Sequence, residues 1–307
     1  MHELAPRLGH DLCRSFVALE LAAFADDSTF RVRKATAQSF GNVAEIVGES
    51  FTVNKLLPCY VRLSKDLIWG VRQSCAKSLV AVTRVVGLQT RTEVMIPMFE
   101  RFAKDVSGTR KHVSQWRRDW VRCGRSLVLS RVSVCQSSRW VRNGAYEILG
   151  PFLYALGPTL VSRDLLAFFS GIPGMSSAIV DQEVNYHAAF NLPAVLTTVG
   201  AGRWDELQAC FAALVKDTKF PVRRTLAYSL HELAAILGPE LTEQSLLPAL
   251  DTFLRDLDEV RYGVLKNFAL IMRAITPAKR IAYLEVIWMV QVRTWKREME
   301  TKSAFCV

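Results

Sequence analysis

The sequence predicts an all-α protein, an α-solenoid of about six helix pairs, and two observations carry this prediction. A short motif recurs along the chain, in which an acidic residue is followed by Val and, in most copies, by Arg directly after that Val. Each Val opens an apolar pattern at helical spacing that ends sixteen residues later, on Gly in every copy except the one that ends at Thr276. One helix cannot bury such a stripe alone, so the repetition predicts stacked helix pairs in which each pair contacts its neighbours.

Residues 217–238 show the motif most completely. Asp217 stands where a carboxylate can accept backbone N–H groups at a helix start, and Gly238 can adopt the left-handed conformation that ends a helix. The recurring valines and the apolar residues 8, 11 and 15 positions after them fall on one helical stripe, which we expect to form the core. The valines are Val32, Val71, Val141, Val184, Val222 and Val260.

A preceding helix completes each pair, and a proline near its start marks it at Leu57-Pro58, Ile96-Pro97 and Leu247-Pro248. This combination resembles the HEAT repeat. Pro151 and Pro193 fall inside second helices, where we expect kinks. The predicted solenoid spans residues 1–287, with repeats at 11–48, 52–87, 90–157, 161–200, 203–238 and 241–276, a partial seventh at 277–287, and an atypical tail at 288–307.

The third repeat contains an insertion. Between Asp105 and Val141 lie 36 residue steps where other copies have five, and removing residues 108–138 restores the repeat interval to 39. Our hypothesis is an in-frame insertion into the turn, such as a translated intron. The alternative is a loop that binds nucleic acid or a partner through Trp116, Trp120 and its arginines.

Composition narrows the class of protein. The seven cysteines are scattered and form no Cys-x-x-Cys, so we expect reduced core thiols. The net charge is +10, but seven basic residues against one acid lie within 108–138, which leaves the repeats near neutral and disfavours nucleic acid as a partner. The sequence shows no membrane span and no secretory leader, so we expect a soluble protein of the cytoplasm and, in part, the nucleus.

Catalytic patterns are absent from the sequence. The five histidines are far apart and have no partner at metal-ligand spacing, so we predict no enzyme activity, no cofactor and no metal site. We interpret the acids and arginines of the motif as structural, through capping and ion pairs between repeats. They are Asp27, Arg33, Asp66, Arg72, Asp105, Arg142, Asp217, Arg223 and Arg261.

The turns between paired helices should line one rim, where exposed aromatic and charged residues could bind a partner. An alternative of equal weight is that the aromatics only cover helix ends. The candidate partner-binding residues are Phe30, Trp69, Arg139, Trp140, Phe220, Asp256, Asp258 and Glu259.

Several segments, among them FRVRKATAQSFGNVAEIVG, IWGVRQSCAKSL, VRRTLAYSLHELAAILG and FLRDLDEVRYGVLKN, are similar to a named family. They resemble the regulatory subunit 1 family of serine/threonine-protein phosphatase 4, which is related to the phosphatase 2A scaffold. The resemblance implies a non-catalytic scaffold whose partners are the phosphatase catalytic subunit and phosphoprotein substrates. The alternative function is a HEAT solenoid for transport or nucleic-acid binding.

Overall fold

The all-α solenoid class is confirmed in a computed structural model of the chain. The structure describes residues 5–105, 138–175, 181, 183–284, 286 and 288, and these residues form helices and turns without a β-strand. The contacts divide the chain into unit 1, residues 1–165 and 174–188, and unit 2, residues 166–173 and 189–307. Residues 106–137, which include nearly all of the expected insertion, and residues 289–307 of the expected tail lie outside the described residues.

Unit 1 contains the first three helix pairs. Its helices are α1 (Ala5–Leu12), α2 (Ala18–Phe24), α3 (Phe30–Val47), α4 (Glu49–Phe51), α5 (Leu57–Leu63), α6 (Trp69–Val85), α7 (Leu88–Thr90), α8 (Ile96–Lys104), α9 (Arg139–Glu147) and α10 (Leu149–Leu156). Two further helices, α11 (Arg163–Ser170) and α12 (Val184–Val199), contribute residues to both units.

Unit 2 contains the most regular pairs. Its helices are α13 (Trp204–Val215), α14 (Phe220–Leu241), α15 (Leu247–Leu254), α16 (Asp258–Lys266), α17 (Phe268–Arg273) and α18 (Pro277–Arg280). Within α14 the helical geometry is interrupted at Gly238, which has φ 76° and ψ 177°, so its last residues begin the first helix of the next pair.

Three first helices contain a π-helical turn directly before the proline motif, at Thr52–Leu56, Arg91–Met95 and Thr242–Leu246. The Leu57 N–H bonds to the Thr52 carbonyl, five residues back. A proline inside a helix donates no hydrogen bond and clashes with the carbonyl four residues earlier, so a widened turn accommodates it. The first pair has the same turn at Cys13–Val17 without a proline, so the turn can form without one.

The predicted stripe forms the core of each unit. In α6, Val71, Leu79 and Val82 are at most 1% exposed, and Val222, Leu230 and Leu233 of α14 are equally buried. Val32 and Val199 are the exceptions, since both are half-buried. The four cysteines that the structure describes, Cys13, Cys59, Cys75 and Cys210, are buried and form no disulfide with one another.

The glycines at the helix ends are of two kinds. Gly48, Gly157, Gly200 and Gly238 have φ between 76° and 85°, as expected for glycines that end a helix. Gly87 differs, because its φ is −73° and the backbone there is extended. A Cβ at Gly87 would meet only the carboxylate end of the exposed Glu49 side chain, which can shift, so neither φ nor space requires glycine there.

Two second helices are broken. The break at Ile148, between α9 and α10, precedes Pro151 by three residues and agrees with the expected kink. The break at Asn267 lies between α16 and α17, where the sequence has no proline. At this break the Asn267 side chain donates a hydrogen bond to the Tyr228 carbonyl at 3.1 Å. Pro193, by contrast, lies inside α12 without ending that helix.

The motif aspartates hold the turns that lead into the second helices. Asp27 accepts the Thr29 N–H at 2.6 Å, Asp66 the Ile68 N–H at 2.8 Å and Asp217 the Lys219 N–H at 2.8 Å. Each donor lies one residue before the first helical residue. The carboxylates therefore close the turn in front of the helix instead of capping its first turn.

An arginine fork ties each turn to the next repeat. Arg33 donates to both carboxylate oxygens of Asp66, at 2.6 and 3.2 Å, while its other terminal nitrogen donates to the carbonyls of Asp27 and Ser28. Arg72 donates to both carboxylate oxygens of Asp105, each at 3.0 Å. Its other terminal nitrogen donates to the carbonyls of Asp66 and Leu67. Each arginine thus fixes its own turn and binds the carboxylate 33 residues on.

Unit 2 repeats this fork. Arg223 donates to Asp256 at 2.6 and 2.8 Å and to the carbonyls of Asp217 and Thr218 at 2.7 and 3.2 Å. The hydrogen bonds that Arg33 and Arg223 donate to the Asp66 and Asp256 carboxylates raise the pKa of each arginine, and the Arg223 guanidinium holds the pKa of Asp256 below its ordinary value.

The third turn keeps its geometry although Asp105 and Ser138 are 33 positions apart in the sequence. The Ser138 N–H donates to Asp105 at 2.8 Å, as the residue two positions after the aspartate does in other turns. The Ser138 carbonyl also accepts hydrogen bonds from the N–H groups of Val141 and Arg142. The Ile68 carbonyl has the same role at the start of α6. Ser138 therefore belongs to the repeat and occupies the place that direct joining would have given to Ser107.

The remaining motif positions depart from the fork. Asp181 follows Arg142 by 39 residues, exchanges hydrogen bonds with Asn143 and lies 3.4 Å from Arg139. Arg142 itself is half-buried. Arg261 pairs with Asp258 of its own helix, and the residue 33 positions after it is Thr294, which offers no carboxylate.

Substituting Arg72 should destabilise the protein far more than substituting Arg62. The side chains of Arg72 and Asp105 are only 6% and 7% exposed, so Arg72→Ala leaves a buried carboxylate without its partner. We expect the free energy of unfolding to fall by about 3 kcal/mol or more. The control is Arg62→Ala, which removes an ion pair to Asp26 between side chains 52% and 65% exposed and should cost less than about 1 kcal/mol. Equal losses in urea unfolding would contradict this assignment.

The fork at Asp256 should make stability depend on acid. Because Arg223 lowers the pKa of Asp256 in the folded state, the ion pair contributes fully above the unfolded carboxyl pKa of about 4 and fades as the pH falls through the folded value. Asp256→Asn should therefore lower the urea midpoint clearly at neutral pH and progressively less toward pH values of about 3. Glu240→Gln, which changes an exposed carboxylate of the same unit, is the control. A constant difference between Asp256→Asn and the parent at all pH values would rule out this linkage.

Candidate partner-binding surface

In unit 1, exposed aromatic side chains stand at the start of successive second helices. Phe30 opens α3, Trp69 opens α6 and Trp140 is the second residue of α9, and these residues are 43%, 45% and 47% exposed. They lie where the turn meets the helix because the motif places them one or two positions before its Val. We call Phe30, Trp69, Arg139 and Trp140 the tryptophan edge.

The two tryptophans of this edge are stacked. Their ring centroids are 6.4 Å apart and their planes differ by 28°. They are 71 positions apart in the sequence and become neighbours because the turn formed by Asp105 and Ser138 keeps the geometry of the other turns. The Gln73 side chain, which donates to the Trp140 carbonyl at 3.2 Å, ties α6 to α9 beneath the pair.

Arg139 adds a positive charge to the stacked rings. Its guanidinium carbon lies 5.2 Å from the Trp140 ring centroid, within cation–π distance, and a terminal nitrogen is 3.4 Å from Asp181. The Arg139 side chain remains 49% exposed. Large rings with an adjacent arginine, all nearly half accessible, are residue types that are frequent among interface anchors, and partner binding stays a prediction for them.

In unit 2 the candidates separate into two groups. Phe220, at the start of α14, is 39% exposed and lies beneath Arg224, whose guanidinium carbon is 5.9 Å from the ring centroid. Asp258 and Glu259 are exposed in the first turn of α16. Asp256 differs from them, because its carboxylate is engaged by Arg223 and by the Leu257 N–H and its side chain is 11% exposed. The structure therefore gives Asp256 a part in the arginine fork and not in the surface.

The sequence analysis missed four further exposed or half-exposed residues of unit 2. Arg224 and Tyr228 follow Phe220 at four-residue intervals on α14, and Tyr262 and Lys266 have the same spacing on α16. A pattern in the sequence could have identified these residues. Positions two and six after the motif Val lie on the face away from the buried stripe, and here they carry aromatic and basic residues.

No catalytic or metal-binding arrangement emerges from the part of the chain that the structure describes. Within it, no three His, Cys, Asp or Glu side chains are close enough to hold a metal ion. His187 packs edge-on against Tyr186, and Nδ1 of His231 is buried without a hydrogen-bond partner. The helices described here include none long and apolar enough to span a bilayer.

Comparison with known proteins gives matches to one family. The family model for the protein phosphatase 4 regulatory subunit 1 middle domain matches residues 188–289, which lie almost entirely in unit 2. Serine/threonine-protein phosphatase 4 regulatory subunit 1 of human and of mouse is 42% identical to this chain over 125 residues. Those residues are 39% of this chain and only 13% of each relative.

Among solved structures, an engineered protein superposes with a TM-score of 0.48 at 13% identity, covering 84% of this chain and 97% of its own. That likeness is too weak to add to the assignment. The family assignment rests instead on sequence similarity, in a match that lies almost entirely in unit 2. The resemblance to the regulatory subunit 1 family of serine/threonine-protein phosphatase 4 is therefore confirmed, and residues 188–289 carry it.

Proposed function

We propose that this chain is a non-catalytic regulatory subunit of a serine/threonine protein phosphatase of the phosphatase 4 type. In this role it binds the catalytic subunit, helps to select phosphoprotein substrates, and acts in the cytoplasm and nucleus. The observation that carries the proposal is the match of residues 188–289 to the regulatory subunit 1 middle domain, together with 42% identity to the human protein over 125 residues.

The geometry supports a binding role. The motif arginines and aspartates whose pairs the structure defines are engaged within the repeats, so they hold turns and are not poised for chemistry. What the repeats present outward is the tryptophan edge, where two stacked rings and Arg139 remain nearly half exposed. We propose this edge of unit 1 as the contact for the catalytic subunit.

The proposal is tested by retention of the phosphatase 4 catalytic subunit on the immobilised full chain, detected with a specific antibody. We expect the parent protein to retain it and Trp69→Ala/Trp140→Ala to lose at least about tenfold, because buried tryptophan anchors dominate interface energies. The matched control is Tyr154→Ala, which removes another aromatic ring of unit 1 that is 62% exposed. Loss in Tyr154→Ala equal to that in the double variant would mean that the edge is not the contact.

The same preparation addresses the alternative of a nucleic-acid-binding solenoid. That alternative expects binding to duplex DNA that weakens steeply with salt and disappears when residues 108–138 are deleted. Failure of the parent protein to retain the catalytic subunit, combined with such DNA binding, would overturn the proposed function.

A further inference from the structure

Unit 2 presents an outward face on which basic and aromatic side chains alternate. Phe220, Arg224 and Tyr228 follow one another at four-residue intervals along α14, and Tyr262 and Lys266 do so along the neighbouring α16. We call these five residues the cation–aromatic face. Four-residue spacing places side chains above one another on one side of a helix, so the two rows run side by side.

The two rows are in contact through their rings. The Tyr228 and Tyr262 centroids are 6.5 Å apart at an interplanar angle of 63°, and Nζ of Lys266 lies 5.6 Å from the Tyr228 centroid. Gly263 makes this approach possible, because a Cβ at that position would come within 2.7 Å of Cδ2 of Tyr228. Tyr262 remains 60% exposed. The rings are thus fixed by packing from below and accessible from outside.

The charges of this face are not neutralised from within the described part of the chain. Arg223 and Arg261 pair with Asp256 and Asp258, whereas Arg224 and Lys266 make no ion pair with any described carboxylate. Their contacts are to the rings of Phe220 and Tyr228. A cation held over an aromatic ring keeps its charge and loses rotational freedom, which prepares it for an incoming anion.

We propose that the cation–aromatic face binds a short acidic peptide segment of a partner protein. Its carboxylates pair with Arg224 and Lys266, and an apolar side chain between them packs on Tyr228 and Tyr262. This site goes beyond the proposed contact with the catalytic subunit, since it uses residues of unit 2 alone.

Charge complementarity favours a peptide over a nucleic acid. The face offers two cations that pair with no described carboxylate, and exposed Asp258 and Glu259 stand in the first turn of the same helix as Tyr262. A polyphosphate backbone would bring repeated negative charge against these acids, whereas a peptide needs only two carboxylates at the cations. The rings supply the apolar contact that a peptide side chain also requires.

The test is fluorescence anisotropy of the full chain with a short fluorescein-labelled peptide in which Glu alternates with Leu and Gly. We expect the peptide to bind and its Gln counterpart to bind at least about tenfold more weakly. Arg224→Ala and Lys266→Ala should each weaken binding about threefold, and Tyr262→Ala about fivefold. Arg273→Ala, an exposed arginine in the last turn of α17, is the matched control and should bind as the parent does.

Three results would overturn the proposal: equal binding of the Glu and Gln peptides, unchanged binding by Arg224→Ala/Lys266→Ala, or tighter binding of labelled oligouridylate than of the Glu peptide. Thermal unfolding of each variant separates loss of binding from loss of fold. Retention of the catalytic subunit is measured separately on the tryptophan edge, so either proposal can fail without the other.

Discussion

The arginine fork is the interaction on which the order of the repeats depends. Burial of apolar stripes is non-directional, so two helix pairs displaced along each other would still bury much of their surface. The fork removes that freedom, because the planar guanidinium of Arg72 must meet both oxygens of Asp105 while it holds the carbonyls of Asp66 and Leu67. The turn and the register of the next repeat are therefore fixed by one side chain.

The third turn shows how much sequence change this arrangement tolerates. The polar contacts of the turn need only Asp105, one N–H two positions later in the repeat, and the helix that follows. Ser138 supplies that N–H, and Trp140 then stacks on Trp69 as the next repeat requires. These contacts form although Asp105 and Ser138 are 33 positions apart in the sequence.

Repetition made the fold predictable, and the lack of repetition limited the prediction of the site. The spacing of valines and glycines predicted the helices and the buried stripe because both recur at helical intervals. The break at Asn267 coincides with the hydrogen bond that the Asn267 side chain donates to the Tyr228 carbonyl, a contact between repeats that no local pattern reveals. For the same reason Asp256 seemed a surface acid, although its partner Arg223 lies 33 residues away.

Two adjacent arginines of the motif have different roles. One joins neighbouring repeats and the other lies at the surface. Arg223 turns inward to Asp256, whereas Arg224, the next residue, turns toward the exposed ring of Phe220. Net charge alone cannot distinguish the two, because only the pairing of each side chain decides whether its charge is available to a partner. In this repeat the position directly after the motif Val therefore joins one repeat to the next, while the position after it lies outside the fork.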